Sequence, residues 1–112
     1  MVRNVMVKVL PGVLVAAVVG CAGAEAVAQA VTPGARYSHS MAYDSARDRI
    51  VLFGGNSNGQ WPAGALGDTW EWDGLRWERR TPVTSPSPRG HGGMFYDPLR
   101  QCCIYFGGVT TL

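Results

Sequence analysis

Residues 38–43, SHSMAY, alternate in character, so that His39, Met41 and Tyr43 fall on one side of an extended strand and small Ser40 and Ala42 on the other. This predicts a strand packed tightly on its small-residue face. A polar turn, DSARDR, follows. Ile50 to Phe53 is then apolar at both parities and β-branched at its start, the pattern of a strand covered on both faces. Gly54-Gly55 ends that strand, which suggests a close backbone approach there. After a polar, glycine-bearing loop, NSNGQWPAGALG (residues 56–67), comes DTWEWDGLRWERR, with a hairpin signal in Asp73-Gly74. A two-residue turn at that dipeptide pairs Trp72 with Leu75, Glu71 with Arg76 and Trp70 with Trp77. One face then collects three indoles and a leucine, and the other an ion pair. The prolines of TPVTSPSPRG (Pro82, Pro86 and Pro88) exclude regular pairing and predict an extended connector. The unit is four antiparallel strands, and the fold class is all-β.

The pattern recurs. Offset by 53 positions, RYSHSMAYDSARDRIVLFGG (36–55) aligns with RGHGGMFYDPLRQCCIYFGG (89–108), with Arg, Met, Tyr-Asp, Arg, Phe and Gly-Gly coinciding. Pro98 suits the second position of a type I turn in the second copy. A period near fifty marks repeated supersecondary units, none of which buries its faces alone. The copies differ at one chemically interesting place: the second copy's histidine is His91, one residue early, and Gly92 takes the position of His39.

Composition changes the picture mainly at the N-terminus. Residues 1–30 have the three parts of a secretory signal: Arg3 and Lys8, an apolar run from Val9 to about Ala24, and Ala28-Gln29-Ala30 as a cleavage site. An overlapping alternative, Val18-Val19-Gly20-Cys21, resembles a lipobox, which makes residues 1–20 a lipoprotein signal and Cys21 the lipidated N-terminus. The apolar run is shorter than the ~20 residues of a membrane span. Export to the periplasm, the outer cell surface or the extracellular space is expected, with membrane attachment only through a lipid on Cys21. Residues 31–112 make at most one small domain. Their eight arginines and seven acids, with no lysine, give no basic field for nucleic acid. Cys102 and Cys103 are adjacent and form no disulfide framework.

Arg36 with His39, Met41, Tyr43-Asp44, RIVLFGG, and then DTWEWDG with a tryptophan three residues on resembles the bacterial kelch repeat, a four-stranded blade of a β-propeller. The resemblance implies one complete blade (36–80), a connector (81–88) and half of a second blade (89–108). Gly54, Gly55, Gly107 and Gly108 then end the second strands, while Trp70, Trp72 and Trp77 pack between blades. Propellers close with 4–8 blades, so the remaining blades come from a longer gene product or from self-association.

No catalytic constellation, metal site or cofactor motif stands out. His39 and His91 read as strand histidines. Asp68, Glu71 and Asp73 do not share a strand face, and GDTWEWDG misses the spacing of the sialidase Asp-box. Trp61 is set apart from the other indoles: it stands alone in the polar loop, so Trp61 with Asn56, Asn58 and Gln60 is the candidate contact surface for a protein or carbohydrate ligand. The expected function is an exported binding scaffold. Two alternatives are an enzyme similar to galactose oxidase, whose copper needs tyrosine and histidine ligands and a cysteine-linked tyrosine, and a truncated fragment without activity. Tyr43, Tyr96, Tyr105 and the cysteines supply residue types for the enzyme but no matching motif.

Overall fold

A computed structural model of the chain describes residues 5–7 and 31–110. The signal-segment readings, including Cys21, lie outside the described residues apart from one short strand. Among the described residues the fold is all-β, without a helix. The strands are β1 (Val5–Val7), β2 (Ser40–Asp44), β3 (Arg49–Phe53), β4 (Thr69–Trp72), β5 (Trp77–Arg80), β6 (Gly90–Asp97) and β7 (Cys102–Val109). Strands β2 to β5 form one antiparallel meander in chain order, and β6 pairs with β7 in a second sheet, whose far edge carries β1.

The alternation in β2 sorts its residues as expected. Ser40 is buried while Met41 and Tyr43 are exposed. Val51, Leu52 and Phe53 of β3 are all buried, so that strand is covered on both sides. Across the meander, register lines up Tyr43, Ile50, Trp72 and Trp77 in one row, and Met41, Leu52, Trp70 and Arg79 in the next row of the same face. The opposite face carries the rows Ser40, Phe53, Thr69, Arg80 and Ala42, Val51, Glu71, Glu78.

The β4–β5 hairpin differs from its expected register. Trp72 pairs with Trp77 and Glu71 with Glu78, so the loop holds four residues, Asp73 to Arg76. Asp73 sets this length: its Oδ1 accepts the amides of Leu75 and Arg76, both at 2.8 Å, an Asx-type turn that outcompetes the two-residue turn. Leu75 and Arg76 therefore project from the turn instead of pairing. Because the slip is by two residues, every side chain keeps its face. The three indoles still share one face, with Trp70 buried and the Trp72 and Trp77 rings 5.5 Å apart. The ion pair of Glu71 is with Arg80, at 2.8 Å, and not with Arg76.

The second hairpin repeats the first in register. Met94 opposes Tyr105 and Tyr96 opposes Cys103, as Met41 opposes Leu52 and Tyr43 opposes Ile50. Each turn is tied by its aspartate. Asp44 Oδ1 accepts the amides of Ala46 and Arg47, Asp97 Oδ1 those of Leu99 and Arg100, and each carboxylate is closed by the arginine three residues on. This explains why Asp and Arg recur three residues apart.

The second hairpin lies on the Ser40–Phe53 face of the meander. Ser40 Oγ donates to the carbonyl of Gly92 at 2.6 Å, and the Phe53 and Tyr105 rings meet edge to face, centroids 5.0 Å apart. At the junction Gly54 and Gly55 adopt φ of +70° and +100°. A Cβ on Gly54 would sit 2.3 Å from the Arg89 carbonyl oxygen, and the Gly55 amide donates to that oxygen at 2.9 Å, so the first glycine pair is where the two repeats touch backbone to backbone. The connector 81–88 has no strand, as its prolines predict.

Candidate functional site

Strands β3 and β4, the two central strands of the meander, are joined at its end by a connection that contains residues 56–67, and the polar composition of this loop conceals a tight hydrogen-bonded core. Asn56 is fully buried. Its Oδ1 accepts the amides of Asn58 (2.9 Å) and Gly59 (2.8 Å), and its Nδ2 donates to the Gln60 carbonyl (2.8 Å). The backbone closes the loop again from Ser57 to Gly64 and from Leu66 to Gly55. The loop is thus an ordered platform and not the flexible one its composition suggests. Of the expected contact residues, Asn56 is spent on organising it and Asn58, though exposed, accepts the Gln60 amide on its Oδ1 at 2.9 Å, which leaves the exposed Gln60 side chain outside the loop's own bonds.

Trp61 is half-buried, lying against the start of β6. A Cβ on Gly90 would meet its ring at 2.7 Å, and the His91 ring lies 5.6 Å away between centroids. His91 in turn places Nε2 3.1 Å from Ser38 Oγ, while its amide donates to the Ser38 carbonyl at 3.0 Å. Ser38 and His91 occupy the same position of successive repeats, and both hold the left-handed conformation, φ +56° and +59°. Such values are uncommon outside glycine, and their recurrence shows that the repeat itself imposes them. Trp61, His91 and Ser38 thus come together beside the loop that carries the exposed residues Asn58 and Gln60. Sequence reasoning missed Ser38 and treated His91 as an isolated strand residue. Their 53-residue offset was the available signal.

The shift of histidine between repeats has a steric cause. A Cβ on Gly92 would stand 2.2 Å from the Tyr105 ring, so the tyrosine that replaces Leu52 in the second repeat requires glycine where the first repeat has His39.

Other candidate groups have structural roles. Burial pushes the Asp68 carboxyl up, but hydrogen bonds from Arg36 and the Trp70 indole, with the Arg36 charge, outweigh it and hold the group below its ordinary value. Arg36 grips both Asp68 oxygens, at 2.6 and 2.9 Å. Glu71 lies buried against Arg80 and Asp73 caps its turn, so the three acids do not converge. Burial, with the nearby Asp44 charge, pushes the Cys103 thiol up to about 12, so it stays protonated near neutrality. Among the described residues, no three His, Cys, Asp or Glu side chains are grouped to hold a metal ion. Comparison with protein-family models and with curated proteins finds no match to this chain.

Proposed function

We propose that this chain belongs to an exported kelch-type β-propeller that acts as a binding scaffold, contacting a protein or glycan through the loop of residues 56–67. The supporting observation is the loop itself: a buried asparagine holds it rigid, so Asn58 and Gln60 are presented beside Trp61 and His91 with little ordering left to lose on binding. The architecture agrees with that reading through two hairpins of equal register stacked face to face, each carrying a pair of positive-φ glycines at the equivalent position. Nothing among the described residues favours the copper-enzyme alternative: Tyr105 and Cys103 are buried, Tyr43 is hydrogen-bonded to Asp48, and His91 faces a serine.

A photo-crosslinking amino acid at position 58 or 60 tests the protein arm in exported protein. Titration with cello-, chito- and galacto-hexaoses, read by tryptophan fluorescence, tests the glycan arm. The expected result is a crosslinked partner or a saturable titration, reduced in Gln60→Ala with the melting temperature unchanged. A crosslinker at exposed Val83 on the connector is the control. Equal capture at positions 58, 60 and 83, with no titration, would reject the loop as the binding face.

A further inference from the structure

The end of the meander away from residues 56–67 holds a cleft of a different character. Register lines up Tyr43, Ile50 and Trp72 across three neighbouring strands. Adjacent strands lie about 4.8 Å apart, so the two aromatic residues stand on strands about 10 Å apart, with the smaller Ile50 as the floor between them. The turn residues Asp48, Asp73 and Gly74 complete a space of about 230 Å³. A pocket for a whole organic ligand is larger, about 300–1,000 Å³, so this one suits a single group the size of a side chain.

One residue sets the charge of the cleft. Among the described residues, Asp44, Asp68, Glu71, Asp73, Glu78 and Asp97 each pair with an arginine. Asp48 does not. Its Oδ1 accepts the Tyr43 hydroxyl at 2.6 Å, and no described arginine pairs with its carboxylate. Asp73, the other acid of the cleft, is already matched by Arg49 at 3.3 Å and Arg76 at 3.6 Å. The turn itself does not require a carboxylate at position 48. Gln101 is the equivalent residue of the second repeat, and the two hold the same left-handed conformation, φ +55° and +50°. The aspartate therefore stands where glutamine makes the same turn, and the Tyr43 hydroxyl holds it against the aromatic cleft.

We propose that this cleft binds a guanidinium group, the cation lying between Tyr43 and Trp72 and one of its N–H groups donating to the second oxygen of Asp48. A guanidinium is planar, stacks on aromatic faces and is more weakly hydrated than a compact ammonium, so it loses less on entering an aromatic slot. The inference does not depend on ligand binding by residues 56–67, which lie beyond the other end of β3, so either can fail alone.

The test titrates the full, isotope-labelled chain with N-acetylarginine amide and follows the indole N–H signals by nuclear magnetic resonance. Saturable shifts are expected at Trp72 and at its ring neighbour Trp77, and not at Trp61. N-acetylcitrulline amide, which keeps the plane but not the charge, should bind at least about fivefold more weakly, as expected for loss of a charge-assisted bond at a partly exposed site. N-acetyllysine amide, which keeps the charge but not the plane, should fall between the two. Asp48→Gln, which copies the turn of the second repeat, should weaken the arginine ligand at least about fivefold and leave the citrulline ligand and the melting temperature unchanged. Absence of saturation, equal affinity for the arginine and citrulline ligands, binding that survives Asp48→Gln unchanged, or shifts confined to Trp61 would overturn the proposal.

Discussion

At the scale of single residues, Gly54 and Gly107 separate two costs that sequence alone merges; both were expected to end a strand, but only β3 stops before its glycine, whereas β7 continues through Gly107 to Val109. Gly54 and Gly107 have nearly the same φ, but a Cβ on Gly54 would lie 2.3 Å from the Arg89 carbonyl, whereas one on Gly107 meets nothing within 4 Å. Alanine at either position bears the left-handed penalty of about 1–2 kcal/mol, and only Gly54→Ala adds a backbone collision. Gly54→Ala is therefore expected to lose clearly more stability than Gly107→Ala in chemical denaturation, and equal losses would contradict the close approach. Asp68 gives a second residue-scale prediction. Its side chain is 13% exposed, and that of Arg36 only 5%, so Asp68→Asn leaves a largely buried guanidinium without its counter-charge, a loss of about 3 kcal/mol. The folded-state value is depressed below the ordinary 3.8. The stabilisation is thus fully present above that value and disappears as pH falls through the lower, folded-state value. The deficit of Asp68→Asn relative to the parent should hold from neutral pH to about 4 and shrink below it. A deficit that stays constant into strong acid would show that the carboxylate charge is not what stabilises the fold.

At the scale of elements, the strands were legible in the sequence because their burial is set by simple alternation: the small face of β2, the doubly covered β3 and the repeat of both as β6 and β7 all follow from side-chain period. Turn length was not legible. Asp-Gly signals a two-residue turn, but the Asp73 carboxylate accepts two amides further along and enlarges the loop to four residues. That preference is invisible until the competing hydrogen bonds are compared in space. The loop of residues 56–67 was opaque for a related reason, since its polar residues look solvent-directed while Asn56 turns inward. The revised hairpin makes a direct prediction. Leu75 is 88% exposed and Trp70 only 5%, so Leu75→Ala should change stability by less than about 0.5 kcal/mol, against about 3–5 kcal/mol for Trp70→Ala. A substantial loss from Leu75→Ala would restore the tighter register, in which leucine packs opposite Trp72.

At the scale of the whole molecule, the same repeat position is buried in one copy and open in the other. Phe53 is fully buried under the second hairpin, while its counterpart Phe106 is 49% exposed. On the far side of the meander, Met41 and Tyr43 are exposed, although their counterparts Met94 and Tyr96 are partly covered by the first sheet. Among the described residues two sheet faces thus lie open, and the interface inside the chain supplies the pattern by which a second copy is expected to cover them. A Met94–Tyr96–Tyr105 face packs on a Ser40–Val51–Phe53 face within one chain, so the Met41–Tyr43 face of one copy suits the Phe95–Phe106 face of another. Such a contact is heterologous and propagates from copy to copy until a ring closes or a filament grows. Sedimentation of the chain should accordingly show a mass that rises with concentration. Phe106→Asp, which places a charge on the open face, should shift the distribution towards monomer while leaving the far-ultraviolet circular dichroism unchanged. Phe53→Ala, in contrast, removes a buried ring and should lower stability by about 3–5 kcal/mol. A concentration-independent monomer for the parent chain would show that exposed Phe95 and Phe106 do not suffice to recruit a second copy, and the stacking geometry inside the chain would then be a property of its covalent continuity alone.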